Sequence, residues 1–119
     1  MTNAATVRKA AALITTAARD QWDASPHHGD FYALALAAEQ VLDALDALNS
    51  NIGIQLAHYQ EGRRLRTDTD RTPAEVIAAA MDHGRVLDAA LRQARQAAHA
   101  MAGECARLAI QPGDPGEQR

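Results

Sequence analysis

Aromatic residues are scarce in this sequence: one Trp, two Tyr and one Phe make up 3% of its 119 residues. Because aromatic rings supply much of the buried area in most cores, this core must rely on aliphatic side chains and alanine. A single cysteine, Cys105, excludes an intramolecular disulfide and gives no indication of an oxidising compartment. No apolar run approaches the roughly 20 residues of a membrane helix, so we expect no membrane span.

An excess of basic charge is also absent, since 12 Lys and Arg stand against 15 Asp and Glu, for a formal net charge of −3. Nucleic-acid-binding domains usually carry a basic excess, so the composition argues against DNA or RNA as the main partner. Arg8 and Lys9 precede a short alanine-rich run, but Arg19 and Asp20 follow closely, which favours an amphipathic helix over a secretion signal. We therefore predict a cytoplasmic protein.

Helix-forming residues dominate what is present. Apolar residues make up 47% of the chain, and many are alanine, the strongest helix former. Nowhere do β-branched and aromatic residues alternate over the length of a strand. From Thr72 to Ala109, small or apolar residues recur in alternating steps of three and four, which predicts a helix with a coiled-coil-like seam. The seam consists of Ile77, Gly84, Leu91, Ala98 and Cys105, together with Ala80, Leu87, Ala94, Met101 and Leu108.

Local signals predict where the first and third helices begin and end. The first helix extends from about Ala4 to Asp23, with Trp22 closing one end of the core, and Ser25-Pro26 ends it because the residue before proline avoids helical angles. The third helix opens with Thr72-Pro73-Ala74-Glu75, a capping box with proline at the first helical position. It is predicted to continue to Ala109.

The second helix is predicted to begin after a cap at Asp30 and to end between Glu61 and Arg66. Asn49-Ser50-Asn51-Ile52-Gly53 contains poor helix formers and could break it. The apolar row keeps its phase across this stretch, however, which favours one long helix. This row, expected to face the core, consists of Leu34, Ala38, Val41, Leu45, Leu48, Ile52, Leu56 and Tyr59.

The fold class that follows is all-α, an antiparallel three-helix bundle with one short and two long helices. A compact four-helix up-down bundle is the alternative, if the second helix breaks near Gly53. The bundle is expected to span residues 1–110 as a single domain. Residues 111–119 are rich in Pro and Gly and are expected to form a disordered tail.

Unequal helix lengths predict an exposed apolar surface. A first helix of about 20 residues cannot cover two helices of about 35 residues each. Exposed apolar surface of this kind usually marks an interaction site. We expect the uncovered part to bind a protein partner, with a homodimer as the simplest case. The candidate interaction residues are Ile52, Leu56, Tyr59, Ile77 and Met81.

Arg92 and His99 lie on one predicted helix face together with Arg95 and Gln96. This spacing resembles the Arg-x(4–6)-His element of the HEPN-type RNA endonucleases, which are small helical bundles. The resemblance implies His99 as the acid/base group and Arg92 as the phosphate stabiliser in a dimer cleft. It covers eight residues, and Gln93 stands where the family often has a polar residue such as Asn. An ion pair between Asp88 and Arg92 on a solvated face explains the same residues without catalysis.

A basic cluster at the predicted hairpin tip could meet phosphates or an acidic partner, or could simply complement a helix C-terminus. It consists of Arg63, Arg64, Arg66 and Arg71. His27, His28 and Asp30 are close in sequence, but no set of three or four converging zinc ligands is evident. We predict no metal and no cofactor.

The function that these patterns favour is a small helical interaction or assembly module that acts through apolar helix faces, and not an enzyme. A HEPN-like ribonuclease using Arg92 and His99 is one alternative. A nucleic-acid or regulatory binding protein using the arginine cluster is another.

Overall fold

The computed structural model describes residues 2–109. Over this range the chain forms three α-helices and no strand: α1 (Asn3–Asp23), α2 (His28–Ala57) and α3 (Pro73–Cys105). The all-α prediction is therefore confirmed. None of these helices has both the length and the apolar character that crossing a membrane requires. The tail predicted at residues 111–119 lies outside the described residues.

Helix starts follow the local sequence closely. Thr72 caps α3: its side chain accepts from the backbone N–H of Glu75, and the Glu75 carboxylate accepts from the backbone N–H of Thr72, as the capping box predicts. At α2 the predicted cap is wrong. His27 occupies the N-cap position, and Asp30 lies three residues inside, where its carboxylate accepts from the His27 N–H at 2.8 Å. The two residues form a second capping box with a histidine in the role usually taken by serine or threonine.

α2 is continuous through Asn51–Gly53, as the unbroken phase of its apolar row predicts. It ends at Ala57, however, before the predicted range, and α3 ends at Cys105 instead of Ala109. The connection between them, residues 58–72, is correspondingly longer than expected. Thr67 organises its second half, because its hydroxyl lies 2.9 Å from the Thr69 carbonyl and 2.7 Å from the Arg71 carbonyl.

α2 and α3 pack against each other as an antiparallel hairpin. The direction is shown by three polar contacts in which the α2 number falls as the α3 number rises: Asn49 with Gly84, Asp43 with Arg95, and Glu39 with His99. These contacts span about three turns of α2 and about four turns of α3. They fix the antiparallel register over the middle of the hairpin.

α1 packs against neither α2 nor α3, and none of its residues is buried. The expectation that the first helix folds back onto the second is thus not met in the single chain. Trp22, expected to close the core, is 89% exposed. The link to α2 is extended, since Ala24 and His27 both have ψ near 155° (156° and 154°). The molecule is accordingly elongated and measures 71 × 28 × 22 Å.

The row of α2 that contacts α3 differs from the predicted row by one residue. The predicted inner row, from Leu34 to Ile52, is mostly exposed, whereas the residue after each of its members is buried or partly buried. One residue corresponds to a rotation of about 100° on a helix, so the apolar row lies beside the contact and not within it. The observed seam of α2 consists of Ala35, Glu39, Leu42, Asp46, Asn49, Gly53 and Leu56.

On α3, half of the predicted seam is confirmed. Ile77, Gly84, Leu91, Ala98 and Cys105 are all buried or partly buried. The second predicted row is replaced by its C-terminal neighbours Met81, Asp88, Arg95 and Ala102, which are likewise buried or partly buried. Of the predicted second row, Ala80 and Ala94 are partly buried and Leu87, Met101 and Leu108 are exposed.

We expect Thr72→Ala to lower the free energy of unfolding by about 1 kcal/mol, because the Glu75 N–H at the start of α3 loses its acceptor. Urea denaturation followed by circular dichroism measures this change. Thr72→Ser keeps the hydroxyl and should restore most of the stability. Equal losses for the two variants would contradict the capping role.

Candidate interaction site

A continuous apolar face runs along one side of the α2–α3 hairpin. On each helix, this face is formed by the residues that directly precede the seam residues in the sequence. Because the two helices run in opposite directions, the same rotation of about 100° brings both rows to the same side of the hairpin. We call this surface the apolar face. It consists of Phe31, Leu34, Ala38, Val41, Leu45, Leu48 and Ile52 of α2 with Leu87, Ala90, Ala94, Ala97 and Met101 of α3.

Most large side chains of the apolar face are exposed in the single chain. Leu45 at its centre is 39% exposed, Ile52 is 46% exposed, and Met101 is 53% exposed. Isolated exposed apolar residues are ordinary on protein surfaces, but a contiguous set over several helical turns is not. The apolar face therefore has the properties of a surface that another helix covers.

The hairpin has little hydrophobic core of its own. Among the described residues only Ala35, Leu91, Ala98 and Ala102 are buried. Three of these are alanines, whose side chains contribute little apolar area. Full burial of a larger side chain such as leucine contributes roughly 1.5–3 kcal/mol, so the exposed parts of the large side chains on the apolar face represent hydrophobic stabilisation that the single chain does not gain.

The opposite side of the hairpin is polar and holds an open groove of about 810 Å³. Arg95 of α3 lies between two carboxylates of α2, with Nη1 2.8 Å from Asp43 and Nη2 3.4 Å from Asp46. One turn further, His99 Nδ1 lies 3.2 Å from Glu39. The groove is lined by Leu36, Glu39, Gln40, Asp43, Arg92, Arg95, Gln96 and His99.

The Asp46 carboxyl group has an unusual environment in the seam. A side-chain hydrogen bond with Asp88 of α3, followed by partial burial, raises the pKa of Asp46 above its usual value of 3.8, although Arg95 opposes the shift. Oδ1 of Asp46 is buried and has no hydrogen-bond partner within residues 2–109. The absence of a donor at this oxygen disfavours the charged carboxylate and so acts in the same direction.

Arg92 and His99, the residues of the ribonuclease-like element, line the same groove. Arg92 forms the expected ion pair with Asp88 at 2.8 Å, and the His99 ring contacts Glu39. Each of these groups thus faces a carboxylate. A phosphate entering the groove would meet two carboxylates as well as the guanidinium groups, which weakens the electrostatic attraction.

The five predicted interaction residues divide into two groups. Ile52 and Tyr59 are exposed, and the Arg63 guanidinium lies 4.6 Å from the Tyr59 ring centroid. Leu56, Ile77 and Met81 are partly buried between α2 and α3. Leu56 and Met81 line a second pocket of about 250 Å³ together with Ile52. Of the five, only Ile52 belongs to the apolar face.

The arginine cluster lies in the connection between α2 and α3, and Arg63, Arg64, Arg66 and Arg71 are all exposed. Arg63 donates from Nη1 to the Tyr59 carbonyl at 3.0 Å, which satisfies a carbonyl just beyond the end of α2. A role of the arginine cluster in binding phosphates stays a prediction.

His27, at the N-cap of α2, serves the backbone. His27 Nδ1 accepts from the Gly29 N–H at 3.2 Å, and its ring lies 3.9 Å from the His28 ring. Within residues 2–109, no three His, Cys, Asp or Glu residues are grouped so that they could hold a metal ion.

Comparisons with protein-family models, with curated proteins and with solved structures find no match to this chain.

Sequence reasoning missed Glu39 and Asp46 of the seam and Asp43 beside it, and it did not pair them with Arg95. A signal for them was present. Acidic residues on α2 and basic residues on α3 are spaced at matching intervals of three and four, so that an antiparallel pairing brings opposite charges together. This charge pattern matches the observed seam of α2 and not the predicted apolar row.

We expect Asp46→Asn to change how stability depends on pH. A carboxyl group with a raised pKa in the folded state stabilises the fold below its unfolded value of 3.8, and this contribution is lost as pH rises through the folded value. Asparagine does not titrate, so the stability of the variant relative to the unchanged chain should increase as pH rises from about 3 to 7.

Thermal unfolding across this pH range measures the difference. The control is Asp43→Asn, which removes a charge beside the same guanidinium. Asp43 is the smallest of the causes that raise the pKa of Asp46, so this variant should keep most of the pH dependence. A difference between Asp46→Asn and the unchanged chain that stays constant with pH would contradict the raised pKa of Asp46.

Proposed function

We propose that this protein is a small helical assembly module that self-associates through the apolar face of its α2–α3 hairpin. The observation that carries the proposal is the continuous row of exposed apolar side chains on α2, from Phe31 to Ile52, joined by exposed Leu87 and Met101 of α3. The thin core of the hairpin supports it, because association would supply the hydrophobic burial that the single chain lacks.

The distribution of charge supports the same surface. The ion pairs of Arg95 and the contact of His99 lie in or beside the seam, on the side away from the apolar face. Burying the apolar face would therefore not require these charged groups to leave water, and the desolvation cost of association would be small.

We expect Leu45→Asp to weaken self-association by at least about tenfold, because burial of the exposed part of the leucine contributes about 1 kcal/mol and the aspartate adds a desolvation cost of similar size. Leu45 is 39% exposed in the single chain, so the variant should keep its helical circular dichroism. Sedimentation equilibrium of the full chain at micromolar concentration measures the change.

Ile54→Asp is the matched control. Ile54 lies on the same helix and is 62% exposed, but it points away from the apolar face. This variant should associate as the unchanged chain does. A strict monomer of 12.7 kDa for the unchanged chain, or equal weakening by both substitutions, would overturn the proposal.

The ribonuclease and nucleic-acid-binding alternatives stay predictions. The first is favoured only by the position of Arg92 and His99 in one groove, and the carboxylates beside them argue against it. The second depends on the exposed arginines of the connection.

A further inference from the structure

Two apolar surfaces of this chain, one on α1 and one on α2, are left exposed, and they have the same length. α1 spans about 32 Å, and the α2 row from Phe31 to Ile52 also spans about 32 Å. On α1, Val7 and Ile14 lie on one helix face and are exposed, as is the row on α2. The rest of this α1 stripe is alanine (Ala10, Ala11, Ala17 and Ala18), and small side chains let a helix approach its neighbours closely.

The link between α1 and α2 keeps α1 away from its own hairpin. Only residues 24–27 separate the helices, and both end residues of this link are extended. Pro26 fixes its own φ angle and disfavours a helical turn at Ser25. Short, stiff hinges favour exchange of an element between copies, because the contact can form between chains without bending the hinge.

On the basis of the assembly function proposed above, we propose that α1 of a second copy of this chain covers the apolar face. Two chains then exchange their first helices reciprocally around a two-fold axis. Each half of the dimer is a three-helix unit, formed by the hairpin of one chain and α1 of the other. The apolar contacts are those that α1 would make on its own hairpin, so no new surface is required.

The register of the exchange follows from the hinge. α1 ends at Asp23 and α2 begins at His28. In an antiparallel pairing, positions about equally far from these two ends lie opposite each other. Ala11 is therefore expected opposite Val41 of the apolar face.

Two single-cysteine chains test the exchange. Both carry Cys105→Ala; one also carries Ala11→Cys and the other Val41→Cys. After co-expression and mild oxidation, the proposal predicts a mixed disulfide dimer, identified by its intact mass. A helix that folds back onto its own hairpin cannot form this product, because each chain has only one thiol.

The control pairs Ala11→Cys with Gln40→Cys, the residue next to Val41 on the polar side of α2. Its mixed dimer should be at least about tenfold less abundant, because disulfides form only when the two Cα atoms come within about 7 Å. Equal yields for the two pairs would overturn the exchange.

The outcomes separate this proposal from the assembly function itself. If the unchanged chain dimerises and Leu45→Asp prevents it, but no mixed Ala11–Val41 disulfide forms, assembly stands and the exchange of α1 fails. If the unchanged chain is a monomer, both fail.

A second variant tests the role of the hinge. Insertion of six Gly and Ser residues after Ser25 lets α1 reach its own hairpin, so the monomer fraction in sedimentation equilibrium should rise. A dimer built from two hairpins without α1 would not respond to hinge length. An unchanged dimer affinity would therefore overturn the exchange.

Discussion

The ion pairs of Arg95 with Asp43 and Asp46 decide how α2 and α3 face each other. α2 offers two candidate contact rows that differ by one residue. One is apolar, and the other alternates small or apolar residues with Glu39, Asp46 and Asn49. The charges of α3 match only the second row, and Asn49 adds a hydrogen bond to the Gly84 carbonyl at 3.0 Å. Polar seam residues of this kind fix register at a cost in stability.

This choice of seam has a direct consequence for the rest of the surface. Because the charged groups meet between the helices and on one side of them, the apolar rows of both helices are left on the other side. The hairpin is then amphipathic as a unit. An amphipathic hairpin with four buried residues is an incomplete core, and such a core gains stability from further burial.

α1 also has an apolar surface that no other part of the single chain covers. It is a well-capped helix, since the Thr2 side chain accepts from the Ala5 N–H at 3.1 Å, but it has no tertiary contact that would bury its apolar stripe. Helices in proteins derive most of their stability from the packing of an apolar face, which α1 does not have in the single chain. The hairpin and α1 thus each expose an apolar surface that the other could cover.

The sequence by itself determined the elements that depend on neighbouring residues. The capping box at Thr72, the end of α1 near Pro26 and the continuity of α2 through Gly53 all follow from contacts within one or two turns. The tertiary structure alone decided which row of α2 faces α3 and that α1 lies apart. A hydrophobic pattern shows which residues favour burial, but it does not show which partner buries them. That depends on contacts such as those of Arg95, which join residues some fifty positions apart and form only when the hairpin closes.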